Sequence, residues 1–283
     1  MKTTLKNLHS TVEINHKGAE LVSFKNKLNT EYIWEGNPEF WGKHSPILFP
    51  IVGTLKNNSF VYNDTTYNLL RHGFARDVNF QLISQTNEEA VFSLLANEET
   101  LKVYPFLFEL QLKYTLIENE LQIAYTIFNR DNVILPFSIG AHPAFALPKD
   151  FENYALAFDE TENLISYQLE NDLISDVTLE HETKENILPL TYSLFEQDAL
   201  IFKNLKSKKI TILENDIPFL RVTYDDFAHL GIWTKNNAPF ICIEPWLGYS
   251  DTIYSNGNIL EKEAIQFVEP KETFVCTFII EIL

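Results

Sequence analysis

The sequence contains only two cysteines among its 283 residues. Cys242 and Cys276 each lie inside an apolar run, and no C-x-x-C spacing is present. So low a count excludes a disulfide-stapled secreted scaffold. We therefore predict two buried, reduced thiols in a cytoplasmic protein.

Basic residues are also few. Lysine and arginine number 22 against 39 aspartates and glutamates, so the net charge is −17 and the pI is near 4.8. Such a chain repels nucleic acid and anionic membranes, and we predict neither as a partner. Two of the four arginines, Arg71 and Arg76, fall in the segment RHGFAR. Composition alone favours solvated charges at a strand end for this pair.

Long apolar runs and low-complexity segments are missing. No run approaches 18 apolar residues, and the start MKTTLKNLHS lacks the apolar core of a signal peptide. We therefore predict no membrane span and no signal peptide. Nine glycines and twelve prolines are scattered, which excludes collagenous and low-complexity classes. Apolar residues make up 45%, enough for a sizeable core.

Helical periodicity is scarce, and apolar residues mostly recur with a period of two. The clearest examples are 109–129 and 273–283, which are rich in Ile, Thr, Tyr and Phe. Regular βαβ spacing is missing, which argues against a doubly wound sheet. We predict an all-β fold of large, mostly antiparallel sheets packed as a sandwich, with few short helices, in a single domain covering 1–283.

Local signals add detail to this prediction. Turn residues predict a hairpin at 62–67 and a tight reversal at 117–121. Residues 37–44 could form one helical turn, and 98–106 a turn or two. The acidic, polar stretch 159–186 is the best candidate for a long surface excursion.

Two ionisable residues lie in apolar surroundings. His142 is in the middle of LPFSIGAHPAFAL, and Glu244 follows an apolar run in FICIEPWLGYSD. His142 could be a neutral core imidazole, and Glu244 could lie at the exposed end of a strand. The two could instead be a general acid and a general base on opposite sides of a pocket, about one pyranose ring apart.

Other residues could complete such a pocket. His72 precedes Gly73, which predicts a sharp turn or a close backbone approach. The tryptophans could give an apolar platform for a sugar ring; they are Trp34, Trp41, Trp233 and Trp246. A metal site of His72, His142 and Glu244 is a workable zinc ligand set, but no H-x-x-x-H spacing supports it. We predict no metal and no cofactor.

Seven segments in the same order resemble the aldose 1-epimerase (galactose mutarotase) family, and within it a bacterial branch of mutarotase-related proteins. They span nearly the whole chain: KGAELVSF (17–24), YIWEGNPEFW (32–41), SPILFPIVG (45–53), HGFARD (72–77), GAHPAF (140–145), DALIFKNLKS (198–207) and PFICIEPWLGYSD (239–251). The resemblance implies a β-supersandwich with a sugar site in an open cleft.

The resemblance also implies roles for individual residues. By motif position, His142 is similar to the family's acid, which protonates the ring oxygen of the sugar. Glu244 is similar to the base, which takes the proton of the anomeric hydroxyl. His72 matches a substrate-binding histidine, and Asp198 falls where the family often has an acceptor for a sugar hydroxyl. The implied reaction is anomer interconversion of a hexose by opening and closing of its ring.

One segment departs from the family pattern. True galactose mutarotases carry arginine after the PIVG-like turn, where this chain has Lys56 and Asn58. Arg71 and Arg76 could stand in for it, and arginine pairs also suit the phosphate of a hexose 6-phosphate. Two alternatives stay open: a hexose-6-phosphate 1-epimerase and a non-catalytic sugar-binding or sensing protein. The open edges of large sheets permit a monomer or a homodimer.

Overall fold

The computed structural model describes residues 1–283. The chain forms 24 strands: β1 (Lys2–Lys6), β2 (Ser10–Asn15), β3 (Leu21–Asn26), β4 (Ile47–Leu48), β5 (Ser59–Tyr62), β6 (Thr65–Asn68), β7 (Gln81–Gln85), β8 (Glu89–Leu95), β9 (Phe108–Ile117), β10 (Glu120–Asn129), β11 (Leu135–Phe137), β12 (Ile139–Ala141), β13 (Ala144–Ala146), β14 (Tyr154–Phe158), β15 (Leu164–Glu170), β16 (Leu173–His181), β17 (Ile187–Pro189), β18 (Leu200–Phe202), β19 (Lys209–Glu214), β20 (Ile217–Thr223), β21 (His229–Trp233), β22 (Phe240–Leu247), β23 (Gln266–Val268) and β24 (Thr273–Ile282).

Helical structure is sparse. There is one α-helix, α1 (Glu98–Val103), which begins after the capping side chain of Asn97. The 3₁₀ segments are Lys56–Asn58, Ala75–Asp77, Phe151–Asn153, Tyr192–Phe195 and Ile259–Glu261. None of these helices has the length and apolar character needed to cross a lipid bilayer.

Two large antiparallel sheets dominate the molecule. The nine-stranded sheet has the order β17-β14-β19-β20-β24-β10-β9-β8-β7. The eight-stranded sheet has the order β16-β15-β18-β21-β22-β12-β4, and β13 also pairs with β22. Smaller sheets are formed by β1-β2-β3, by β11 with β23 and by β5 with β6. The all-β prediction of large antiparallel sheets is confirmed.

The core lies between the inward faces of the two large sheets. In β9 and β10 every second residue is buried, which confirms the period of two read from the sequence. The largest cluster of buried apolar residues has 63 members and takes side chains from both sheets, such as Leu112 of β9 and Ile243 of β22. Each such side chain contributes roughly 1.5–3 kcal/mol by leaving water.

Strand β22 is buried at all eight positions, because both of its faces are covered. Ile241 and Ile243 point into the core between the sheets. The alternate residues Cys242, Glu244 and Trp246 therefore point to the opposite face of the sheet. That outer face of the eight-stranded sheet is the floor of the cleft described below.

Some of the local predictions are confirmed and others are not. The hairpin at 62–67 is confirmed, since Tyr62 pairs with Thr65 around a tight turn. The reversal at 117–121 is also confirmed, because β9 and β10 are joined by two residues. Helix α1 lies within the predicted 98–106, whereas 37–44 forms a hydrogen-bonded turn without a helix. The stretch 159–186 mostly forms the β15–β16 hairpin at an edge of the eight-stranded sheet.

Candidate active site

An open cleft of about 790 Å³ lies on the outer face of the eight-stranded sheet. Nine of the residues singled out in the sequence line it: Trp41, Arg71, His72, Arg76, His142, Asp198, Trp233, Glu244 and Trp246. Trp34 does not line the cleft, because it is buried in a small apolar cluster, so its predicted role as a sugar platform is wrong. The nine residues come from six separate segments of the chain, which the fold brings together. The volume is typical of pockets that bind small molecules.

Strand register places His142 beside Glu244. The pairings on either side of His142 have the same register: Gly140 is opposite Trp246, and Ala144 is opposite Cys242. His142 is therefore opposite Glu244 and on the same face of the sheet, where directly paired side chains are neighbours. Nε2 of His142 lies 3.3 Å from Oε2 of Glu244.

This geometry corrects two expectations. We expected the acid and the base on opposite sides of a pocket, about one pyranose ring apart; they lie side by side. The alternative that Glu244 lies at an exposed strand end is also wrong, because Glu244 is only 2% exposed and lies inside β22. His142 is 8% exposed, yet both side chains line the cleft and can reach a ligand there.

Burial sets the protonation of the pair. It lowers the pKa of His142 to about 3, and the nearby Arg76 and Arg71 act in the same direction. Burial also raises the pKa of Glu244 well above its ordinary value, against the opposing charge of Arg71. Between these two pKa values the pair holds one proton, and it lies on the carboxyl group.

His72 is held by its backbone neighbours. The backbone N–H of Gly53 donates to Nδ1 at 3.1 Å. Burial lowers the pKa of His72 well below its ordinary value, which keeps the ring neutral. Nε of Arg71 is placed to donate to Nε2 at 3.2 Å, and a neutral ring can accept at only one of its two nitrogens. His72 lines the cleft beside these two donors.

The predicted close approach at Gly73 is present. Gly73 has a φ of +67°, and a Cβ there would lie 2.3 Å from the carbonyl oxygen of Phe49. Only glycine fits so near a backbone oxygen in this conformation. The close approach holds the preceding His72, itself at a φ of +67°, at the cleft.

Both arginines of the cleft already have partners. Arg71 pairs with Asp172 at 3.2 Å, and Arg76 donates to the carbonyl oxygen of Arg71 at 2.9 Å. Nε of Arg76 also lies 3.6 Å from Asp77. The acidic side chains that line the cleft outnumber the basic ones; they are Asp172, Glu196, Asp198 and Glu244. The cleft is thus not a concentrated positive site.

Trp246 lies flat on two glycines next to the pair. A Cβ at Gly140 would lie 2.5 Å from its indole ring, and one at Gly231 would lie 2.4 Å away. Gly231 is directly opposite Glu244 in the next strand. Trp233 lies on the other side and meets the His142 ring edge to face, at 5.9 Å between centroids and 83°. The two tryptophans therefore give an apolar wall and floor.

Several residues of the cleft have no place in the sequence-based site; they are Gly53, Leu169, Asn171, Asp172, Glu196, Gln197, Ala199, Ile201 and Ser250. Asn171 and Asp172 form the tip of the β15–β16 hairpin, and both have positive φ angles. The Asn-Asp pair signals a turn in the sequence. Nothing local places that turn at the cleft, because this depends on the pairing of β15 with β18.

One set of three possible metal ligands is present, but it differs from the set weighed in the sequence. Ligand atoms of His142, Cys242 and Glu244 lie within 4.8 Å of one another, and His72 is not part of the group. Burial raises the pKa of the Cys242 thiol well above its ordinary value. A protonated thiol is a poor ligand, so the donor set suits a metal poorly. The absence of a metal cofactor stays a prediction.

Comparison with known proteins identifies the family. Residues 1–265 match the family model described as aldose 1-epimerase. The chain belongs to the aldose 1-epimerase family. Protein LacX of Lactococcus lactis subsp. lactis, in its chromosomal form, is 36% identical over 299 residues, and the match covers all of both chains. The family predicted from seven sequence segments is thereby confirmed, and members of the aldose 1-epimerase family act on sugars.

Solved structures of similar proteins share the fold. A galactose mutarotase related enzyme from Lactobacillus acidophilus has a TM-score of 0.95 at 32% identity, over 100% of this chain and 97% of that one. A galactose mutarotase-like protein from Lactobacillus casei ATCC 334 has a TM-score of 0.94 at 29% identity, over 100% of both chains. The predicted galactose mutarotase-like β-supersandwich is confirmed.

Proposed function

We propose that the protein interconverts the α and β anomers of a free hexose, with His142 as general acid and Glu244 as general base. The observation that supports this most is the 3.3 Å separation of His142 Nε2 and Glu244 Oε2 at the floor of an open cleft. The ring oxygen and the anomeric hydroxyl of a pyranose are bonded to the same carbon. A donor and an acceptor side by side therefore suit that carbon better than groups one ring apart.

Ring opening starts from the form in which the one proton of the pair is on His142 and Glu244 is a carboxylate, reached by proton transfer across the 3.3 Å contact. It moves two protons and breaks one bond. The Glu244 carboxylate takes the proton of the anomeric hydroxyl, whose oxygen becomes the aldehyde oxygen as the bond from C1 to the ring oxygen breaks. The ring oxygen, now a hydroxyl, receives its proton from the His142 imidazolium. Rotation about the C1–C2 bond presents the other face of the aldehyde. Closure reverses both transfers and gives either anomer.

The pKa shifts caused by burial favour both proton transfers of ring opening. A desolvated imidazolium is a stronger acid than one in water, and a desolvated carboxylate is a stronger base. After ring opening the carboxyl group is protonated and the imidazole is neutral, which is the form that burial favours. The same single proton serves both forms of the pair, so no exchange with solvent is needed during a cycle.

Neighbouring groups supply contacts for the sugar. His72 lines the cleft with its ring centroid 6.0 Å from that of His142, so it can contact a sugar oxygen near the reacting carbon. One carboxylate oxygen of Asp198 accepts the backbone N–H of Ala199 at 2.7 Å, which leaves the other oxygen for a hydroxyl. The rings of Trp233 and Trp246 provide apolar surface for the carbon face of a pyranose.

A hexose-6-phosphate 1-epimerase is the second candidate, because Arg71 and Arg76 both line the cleft. The partners of these arginines and the acidic residues around them count against a dianionic substrate. An Arg76→Ala variant separates the two. A phosphosugar enzyme would lose affinity for the phosphosugar alone, and a free-hexose enzyme would show no such preference.

The function is tested by following anomer exchange from pure α-anomers of glucose, galactose and their 6-phosphates, by polarimetry or NMR. We expect faster exchange of at least one free hexose with wild-type protein, and its loss in Glu244→Gln. The exposed Glu35, changed to glutamine, is the matched control and should retain full activity. Saturable sugar binding without exchange would instead indicate a non-catalytic sugar-binding protein.

A further inference from the structure

The imidazole of His142 lies against the face of Trp41. The ring centroids are 4.7 Å apart and the planes are inclined by 25°, so the rings are stacked. The other aromatic neighbours meet the imidazole at steep angles, 83° for Trp233 and 79° for His72. Trp41 is therefore the aromatic ring that stacks on the imidazole.

The segment that carries Trp41 is tied down at several points. Its backbone N–H donates to the carbonyl oxygen of Asn37 at 2.9 Å, and its carbonyl oxygen accepts the indole N–H of Trp34 at 2.9 Å. Nζ of Lys235 donates to the carbonyl oxygen of Phe40 at 3.1 Å. Trp41 is thus a fixed wall of the cleft.

His142 has little else to fix its orientation. A catalytic imidazole is commonly held through a hydrogen bond to the nitrogen away from the reaction. Nδ1 of His142 is buried and has no hydrogen-bond partner in another residue; the carbonyl oxygen of His142 itself lies near the ring and favours its protonated form. Ring packing must therefore direct Nε2 toward Glu244.

We propose that Trp41 is a positioning residue of the anomer-exchange reaction, which holds the His142 ring toward Glu244 and favours its protonated form. The proposal rests on the function proposed above. The face of an indole attracts a cation, so it stabilises imidazolium over neutral imidazole, by roughly 3- to 30-fold in the equilibrium. The protonated ring is the form that donates to the ring oxygen of the sugar.

The other charged and titratable groups around the His142 ring determine how much the Trp41 face adds to the stability of the imidazolium. They are Glu244 and Cys242 on β22 and Arg71, His72 and Arg76 on the loop before β7. The two arginines oppose a positive charge on His142, and the Cys242 thiol and the His72 ring are neutral. Glu244, the carbonyl oxygen of His142 itself and the Trp41 face therefore favour imidazolium, and Glu244 gives up its charge during the reaction.

The test compares Trp41→Leu, which keeps an apolar side chain but removes the π face, with Trp41→Phe, which keeps a smaller π face. Phe40→Leu is the matched control, because Phe40 is on the same turn and contacts Trp34 instead of His142. We expect kcat for anomer exchange to fall roughly 3- to 30-fold in Trp41→Leu. KM should change less, Trp41→Phe should recover part of the loss, and the control should match wild type.

Three results would overturn the proposal. Unchanged kcat in Trp41→Leu would show that the stack has no part in proton transfer. A rise in KM alone would make Trp41 a sugar platform. An equal loss in Phe40→Leu would assign the effect to the turn as a whole. Inactive wild-type protein would instead refute the proposed function itself, so the two failures are distinguishable.

Discussion

At the scale of single residues, the sequence identifies candidate site residues but does not show which of them are in contact. His142 and Glu244 were notable because ionisable groups are rarely buried without partners. The sequence left His142 as either a neutral core imidazole or a general acid in a pocket. The structure contains part of both, since the ring is buried and also lines the cleft. Its partner is set by strand register between residues about a hundred positions apart, which no local pattern specifies.

The pH dependence of the reaction follows from the shared proton. The pair stays in its one-proton form until His142 gains a second proton near pH 3, or until Glu244 loses its proton well above its ordinary pKa. Because burial lowers the pKa of His142 to about 3, we expect kcat/KM not to fall as the pH is lowered from about 7 to about 5.5, whereas an unperturbed histidine would give a break near 6.5.

This prediction is checked by initial rates of exchange in buffers that stay above the sequence pI of 4.8. The rate of uncatalysed mutarotation at each pH must be subtracted. A change in slope centred near pH 6.5 would mean that His142 titrates like a solvated imidazole and that burial does not control the pair.

At the scale of strands and turns, turn residues and apolar alternation predicted individual hairpins and strands. The sequence did not show which distant strands pair. The Asn63-Asp64 hairpin follows from residues that tolerate positive φ, and the alternation in β9 and β10 follows from one face leaving water. The β15–β16 hairpin was read only as a surface excursion. Its role as an edge of the sheet and a rim of the cleft depends on pairing with β18.

Strand β21 gives a test of the cleft floor. A Cβ added to Gly231 would lie 2.4 Å from the Trp246 ring. Gly231→Ala should therefore displace the indole and lower the free energy of unfolding by about 1–3 kcal/mol. It should also slow anomer exchange, because Gly231 is directly opposite Glu244.

Denaturant unfolding and the exchange assay measure both effects. Gly42→Ala is the matched control, since the nearest atom to an added Cβ there is 3.7 Å away. The control should change stability by less than about 1 kcal/mol. Wild-type stability in Gly231→Ala would show that the floor can rearrange at no cost.

At the scale of the whole molecule, we propose that residues 1–283 form one domain. A single cluster of buried apolar residues extends from Leu5 to Ile282 and takes side chains from both large sheets, which supports this proposal. The acidic composition is consistent with a cleft for a neutral sugar. A cytoplasmic location and a monomeric or homodimeric state remain predictions.

The most direct test of the central claim is the rate of anomer exchange measured by NMR on an equilibrated hexose with wild type, His142→Gln and Glu244→Gln. Each side chain is proposed to carry one proton transfer, so each substitution should reduce kcat by roughly 10²–10⁴-fold with the fold intact by circular dichroism. Full activity in either correctly folded variant would contradict the proposed acid and base.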